Sequence, residues 1–466
     1  MKKTLLLLGL VISTLLVSCF EDLDDNIQVA STESINDFIW RGLNFFYLYK
    51  TDRPELADNY PNETDFNAFL DSFETPEDFF AFLKSPQDRF SILVDDYIAL
   101  ENALAGTTDN NGMEYGLVLY PDGSGNVFGY VRYVLPNTSA SFNNMSRGQI
   151  FNTVDGVQIT ETNFNELLSP NTYTIGLATY DGENVTPTGE EITLDKAAYT
   201  ENPIFETQTF DINGQKIGYL MYNAFTNEFD SELNAAFGQF NTEGVTSLVL
   251  DLRYNSGGSV RSATYLSSMI AGQLNGQIFY TEQWNPDRQP EYAEDGLFVN
   301  SFVNGGETIN SLDLSEVYIL TTGRTASASE LVINGLAPYI NVVQIGGNTT
   351  GKYQASFILY DAPAPNFSRN EANTGHTYAL LPLVFQTANA AGNTDFEDGL
   401  IPDIEQVEDY SNLGTLGDPT EPLLATAISE ITGIPMPGSR KNIQKLEVIA
   451  ESKSFTPAYQ LMLVEK

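Results

Sequence analysis

Cysteine and histidine are almost absent from this sequence, whose 466 residues contain one of each, Cys19 and His376. One cysteine excludes an intramolecular disulfide. One histidine means that any Ser/His/Asp triad would have to use His376, which stands in the polar stretch 373–377 without an acidic neighbour that clearly orients it. It is expected to be a loop or surface residue. Positive charge is scarce too: 22 Lys and Arg stand against 62 Asp and Glu. The resulting net charge of −40 argues against a nucleic-acid partner, because phosphate binding needs clustered cations. Long hydrophobic runs are missing beyond the N-terminus, so no later segment is expected to cross a membrane. A hydrophobic content of 42% nevertheless supports real cores, and the length suffices for two or three domains.

The N-terminus carries a targeting signal. Lys2 and Lys3 precede the apolar run 5–17, which is too short for a lasting transmembrane helix and has the plan of a secretory signal. Leu16-Val17-Ser18-Cys19 resembles a bacterial lipobox, which implies lipidation of Cys19. An ordinary signal peptide with a chance cysteine is the alternative. The acidic residues 21–25 resemble the tether of lipoproteins exported in Bacteroidetes-like bacteria, or form a solvated linker. These readings place a signal peptide at 1–18, an acidic tether at 19–30, and the protein in the cell envelope, lipid-anchored to the outer membrane and facing the periplasm or the surface.

Residues 31–108 read as a helical, aromatic-rich domain in which Thr75-Pro76-Glu77-Asp78 is a helix start. From Met113 the apolar period becomes two, and strands are expected over 115–120 and 127–135 around a turn at 121–125. A short helix after Pro136 and a strand with a tight turn over 147–156 follow. This order over 109–200 resembles a PDZ domain, with Glu114-Tyr115-Gly116-Leu117 at the place of its peptide-binding loop. That would give a groove accepting a peptide as an added strand; a small β domain that binds nothing is the alternative. Over 201–435 strands alternate with helices, the pattern of an α/β core. Residues 285–306 read as a surface excursion and 436–466 as an appendage.

The chemistry concentrates in 317–352. Branched residues give way at Gly323–Thr325 to a turn and then to helical spacing from Ala326 until Pro338. Ser327 therefore sits where a strand breaks into a helix, beside amides that lack internal partners. Ser327-Ala328-Ser329-Glu330 also fits a capping box, so the serine is equally a plain helix cap, and Thr325 and Ser329 are competing hydroxyls. A serine nucleophile needs a base. Lys352, in the uncharged stretch 346–353 beside an apolar strand, could serve if burial lowers its pKa by roughly two to three units; a surface lysine is the default.

Four ordered blocks, 251–258 (DLRYNSGG), 325–330 (TASASE), 351–352 (GK) and 399–403 (GLIPD), resemble the signatures of the C-terminal processing, or tail-specific, serine peptidases. The family spaces its serine and lysine 25 residues apart, as Ser327 and Lys352 are here. The resemblance implies an acyl-enzyme mechanism with a Ser327/Lys352 dyad, an oxyanion hole from the amides of Gly258 and Ala328, and no metal or cofactor. Two positions depart from the pattern. Ser356 stands where many members carry a lysine-orienting glutamine, leaving Gln354 as the candidate, and Pro338 replaces an acidic residue found in some. The fold implied is α+β multidomain, with a helical N-terminal region, a PDZ-like β domain offering Tyr115, Gly116 and Leu117 to peptides, and a crotonase-like α/β core. The expected activity is endopeptidase cleavage of proteins or peptides with accessible C-termini. The alternatives are a catalytically idle peptide-binding lipoprotein and an enzyme using His376.

Overall fold

The computed structural model describes residues 29–465, apart from 61–62, 304–305, 395 and 439–444. The signal segment, Cys19 and the acidic residues 21–25 lie outside the described residues.

The chain opens with α1 (Thr32–Phe46), capped by the Ser31 hydroxyl, which accepts from the Ser34 amide at 3.2 Å. Its buried face, Ile35, Phe38, Ile39, Leu43 and Phe46, follows the helical period. Helices α2 (Glu63–Leu70), α3 (Pro76–Leu83) and α4 (Tyr97–Leu104) follow. As expected, Thr75 caps α3 through the Asp78 amide and Pro76 opens its first turn. The helical region does not stand apart, because α1 shares one hydrophobic cluster with the α/β core. Phe46 meets Phe357 edge-on at 4.8 Å. The segment after Asn285 is no free excursion either: Asn285 donates to Tyr47 O at 3.0 Å and the Arg288 guanidinium lies 3.7 Å from the Phe45 ring centroid.

Next comes an antiparallel sheet of β1 (Met113–Leu119), β2 (Val127–Val134), β3 (Ile150–Val154), β4 (Thr172–Tyr180) and β5 (Val185–Asp195), around its own core of residues such as Leu117, Val131, Phe151 and Ile175.

The α/β core contains β6 (Ile204–Ile212), β7 (Gln215–Tyr222), α5 (Asp230–Glu243), β8 (Ser247–Asp251), α6 (Val260–Ile270), β9 (Ile278–Trp284), β10 (Glu316–Thr321), α7 (Ala328–Leu336), β11 (Asn341–Gly346), β12 (Gln354–Ser356), β13 (Leu383–Ala388), β14 (Ile404–Glu405) and α8 (Pro422–Thr432). One six-stranded sheet runs β6-β7-β8-β10-β11-β14, parallel except for the β6/β7 hairpin. Its inner strands β7, β8 and β10 are largely apolar on both faces, as expected where both faces are covered. Leu248, Leu250, Val317 and Ile319 pack toward α5, α6 and α7, whereas Val249, Tyr318 and Leu320 pack with Leu423, Leu424 and Ile428 of α8. Each such leucine or isoleucine contributes about 1.5–3 kcal/mol by leaving water.

The last described stretch corrects the expectation of an appendage. Strand β15 (Val448–Glu451) pairs antiparallel with β1, and β16 (Met462–Leu463) is a strand of a second six-stranded sheet, between Gly258–Ser259 and β12. Met462 is fully buried in the main core.

Candidate active site

The two halves of the site come from the ends of parallel strands. After β8 the chain runs through 252–258; after β10 it turns through 322–327 into α7. The Thr325 hydroxyl donates to Leu252 O at 2.8 Å, the Ala326 amide to Asn255 O at 3.1 Å, and the Ser329 hydroxyl to the same carbonyl at 3.2 Å. Thr322 Oγ1 donates to Arg253 O. Thr325 and Ser329 are therefore used as fasteners, which leaves Ser327 as the free hydroxyl of the three.

Ser327 has φ 64° and ψ −117°, a conformation that non-glycine residues rarely adopt and that costs on the order of 1–3 kcal/mol. Only one half of the capping box forms. Glu330 accepts from the Ser327 amide at 2.7 Å, while Ser327 Oγ is buried and has no hydrogen-bond partner among the described residues. The hydroxyl is thus not acting as a cap. It faces Gly257, where a Cβ would lie 2.8 Å from Ser327 Oγ, so glycine is what lets the upstream loop approach. Gly258, at φ 134°, takes a conformation that favours glycine, and a Cβ on it would strike Phe225 O at 2.3 Å. The Ala328 amide opens α7 one residue beyond the serine.

Glu330 is the residue whose role the sequence showed only in part. Its buried carboxylate accepts from the amides of Ser327, Gly351 (2.7 Å) and Lys352 (2.9 Å) and from the Thr349 hydroxyl (2.5 Å). Burial raises its pKa against the opposing effect of these hydrogen bonds. It ties the backbone of the serine to that of the lysine.

Lys352 is fully buried, and desolvation brings its pKa down from 10.5 to about 7 despite the opposing charges of Asp88 and Glu330. Its ammonium nitrogen lies 5.0 Å from the Phe90 ring centroid and donates to Gln460 O at 2.5 Å. No hydrogen bond joins it to Ser327 Oγ, which is unpartnered. Asp88 and Phe90 come from the turn after α3 and carried no signal in the sequence.

Two expectations need correction. Gln354 does not orient the lysine: its pairing with Gln386 fixes it in β12, and its side-chain amide donates to the Tyr49 hydroxyl at 3.2 Å. His376 is neither exposed nor lacking an acidic neighbour. Its Nε2 is 3.1 Å from Asp361 Oδ2, and that carboxylate also binds Arg41 of α1. This pair serves the docking of α1; its hydrogen bonds go to Arg41, Asn373 and the Tyr378 amide, not to Ser327 or the 257–258 loop. Tyr115, Gly116 and Leu117 lie within β1, whose edge is occupied by Ala450 and Glu451 opposite Leu117 and Gly116. A cleft of about 500 Å³ leads from this strand, past Lys453 and Thr456, to Gly257 and Gly258.

The amino-acid sequence matches a known family. A model of peptidase family S41 matches residues 216–405, and a model of the peptidase S41 N-terminal domain matches residues 34–92. The chain belongs to peptidase family S41. A crystal structure of a Bacteroides fragilis protein assigned to the S41 proteases is 28% identical, covers 85% of this chain and 97% of its own, and superposes with a TM-score of 0.63. The mixed α/β multidomain arrangement is therefore that of S41 proteases. Among curated relatives, the carboxyl-terminal-processing protease of Picosynechococcus sp. is 29% identical over 162 residues, which are 34% of this S41 chain and 35% of the relative. That of Synechocystis sp. is 25% identical over 175 residues, 37% of each. The chain thus spans about a third of the length of these relatives.

Proposed function

We propose that this S41 family member is a serine endopeptidase that cuts proteins or peptides near their C-termini through a Ser327/Lys352 dyad. The observation that carries this reading is the pairing of a strained, unpartnered serine hydroxyl at a helix start with a buried lysine brought to about 7. Ser327 attacks the carbonyl carbon, neutral Lys352 takes its proton and passes one to the departing amine, and water resolves the acyl-enzyme. The amides of Gly258 and Ala328 receive the oxyanion, each worth about 2.7–4 kcal/mol in the transition state. Glu330 positions the dyad through backbone alone.

The same reading takes the main sheet and its helices as crotonase-like, residues 109–200 as PDZ-like, and Cys19 as the site of a lipid anchor holding the protein in the cell envelope. The test is labelling with a fluorophosphonate, mapped by mass spectrometry, beside hydrolysis of an unfolded protein. Wild type should acquire the adduct on Ser327 and degrade the substrate, while Ser327→Ala and Lys352→Ala should do neither. A Ser327→Ala chain that still degrades the substrate would overturn the reading.

A further inference from the structure

The segment that ends the described chain lies across the site in the manner of a bound peptide. It first adds a strand to the edge of β1, with Glu451 held by the buried Arg132 and near Arg324, 3.7 Å away in the turn that precedes Ser327. Arg324 also donates to Ala450 O at 3.3 Å and to the Tyr459 hydroxyl at 3.2 Å. The segment then reaches the dyad. Lys352 Nζ donates to Gln460 O, and the Gly258 amide, one of the two assigned to the oxyanion, donates to Leu461 O at 2.8 Å. Beyond this point Met462 and Leu463 are flanked by Gly258–Ser259 on one side, Leu463 also pairs with Ser356 on the other, and Glu465 binds the Ser259 hydroxyl at 2.7 Å and Arg261 at 3.3 Å.

The register singles out one bond. A Cβ on Gly257 would lie 2.7 Å from Leu461 O and 2.8 Å from Ser327 Oγ, so both atoms border the same small space. Gln460 is bent into a left-handed conformation, φ 54°, which turns successive carbonyls toward the lysine and the glycine amide. We propose that residues 448–465 are the first substrate of this site, presented by the chain to itself, and that the Leu461–Met462 bond is the one cut. This rests on the Ser327/Lys352 reading above.

The step balances. Ser327 Oγ bonds to the Leu461 carbonyl carbon as its proton moves to Lys352 Nζ; the bond to the Met462 nitrogen breaks as that proton passes to the leaving amine. Water then adds to the acyl carbon, restores the serine hydroxyl and leaves a carboxylate on Leu461. One water is consumed, and the cleft beside Gly257 gives it a route. A neutral lysine has two donors and one lone pair, so it can hold Gln460 O and still accept the serine proton. Until the cut is made the tail excludes other peptides. If it occupies the site nine-tenths of the time, apparent affinity for an external substrate falls about tenfold.

The test follows the intact mass of freshly purified wild-type and Ser327→Ala chains over time, at two protein concentrations, with hydrolysis of an unfolded protein measured in parallel. Wild type should lose the fragment beginning at Met462 at a rate independent of concentration, while Ser327→Ala keeps it. A chain ending at Leu461 should hydrolyse the external substrate about tenfold faster at first than the intact chain. Wild type that degrades the external substrate but keeps its tail overturns this inference and leaves the peptidase reading standing. Equal trimming of Ser327→Ala overturns it as well, since another protease would then be responsible. A wild type that trims nothing, degrades nothing and takes no fluorophosphonate removes the dyad reading itself, and this inference with it.

Discussion

Lys352 can accept a proton only when neutral. With its pKa lowered to about 7 by burial, the neutral form grows as pH rises through 7 and is lost below it. Hydrolysis should therefore climb about tenfold per pH unit below 7 and level off above it, a slope measurable as kcat/KM against pH with the unfolded state kept out of range by short assays. A maximum at acid pH would rule out a lysine base. Lys352→Arg should be inactive at every pH, because a guanidinium stays protonated. Glu330→Gln is a separate test of positioning. The amide has one acceptor oxygen where the carboxylate offers two, so it leaves some of four donors unpaired, at about 1–3 kcal/mol. The expected result is a lower melting temperature and a reduced kcat with KM little changed. At this scale the sequence was readable where partners are close in the chain. The S-x-x-E box and the Ser-to-Lys spacing were visible, but Asp88 and Phe90 meet the lysine from far upstream and no local pattern announces them.

The junction of two elements, the loop after β8 and the turn into α7, is where the site is assembled. Its blocks divide into chemistry and scaffolding. In the DLRYNSGG stretch Gly257 lies against the serine and Gly258 against Phe225, while Arg253 is buried between Asp251 and Glu421 and supports the loop. In the GLIPD stretch Asp403 accepts from the Gln344 amide at 2.8 Å and Leu400 O accepts from the Thr349 amide at 3.1 Å, which steadies the strand and turn leading to Lys352. Gly257→Ala tests the junction. Its Cβ would fall 2.6 Å from Ser327 Cβ, and the φ of 111° is itself unfavourable for alanine. A displacement of about 1 Å at the nucleophile typically costs on the order of a hundredfold in rate. Fluorophosphonate labelling of this variant should slow by about that factor while far-UV circular dichroism stays native; an unchanged labelling rate would show that the serine does not depend on this contact. Strands and helices of the core were legible because two-faced burial gives long apolar runs. The tail was not, since β15 and β16 are four and two residues long and draw their partners from residues about a hundred or more positions upstream, at 116–118, 258–259 and 356.

Across the whole molecule, the antiparallel sheet of 113–195 is tied to the α/β core by a buried cluster of charges. Arg147, in the loop before β3, donates to the Tyr254 hydroxyl at 2.8 Å and to Glu408 at 3.0 Å, and Arg253 approaches Glu408 at 3.5 Å and Glu421 at 2.6 Å. Burial alone would raise the pKa of Glu408, but Arg147 and Arg253 outweigh it and hold the group below 4.5; Glu451 is held low in the same way against burial by Arg132 and Arg324. A carboxylate whose folded pKa is depressed contributes stability that is complete above its unfolded value and is lost as pH falls through the folded one. The two sheets should therefore part in acid, below about pH 4.5, before the apolar core does. Arg147→Ala should bring this about at neutral pH. It leaves Glu408 and the Tyr254 hydroxyl short of a buried partner, a loss of about 3–5 kcal/mol confined to the interface between the two sheets. Calorimetry should then resolve two unfolding transitions where the wild type gives one, with the lower one moving further down in acid. A single transition shifted as a whole would mean that the β15–β1 pairing, and not this cluster, couples the two parts.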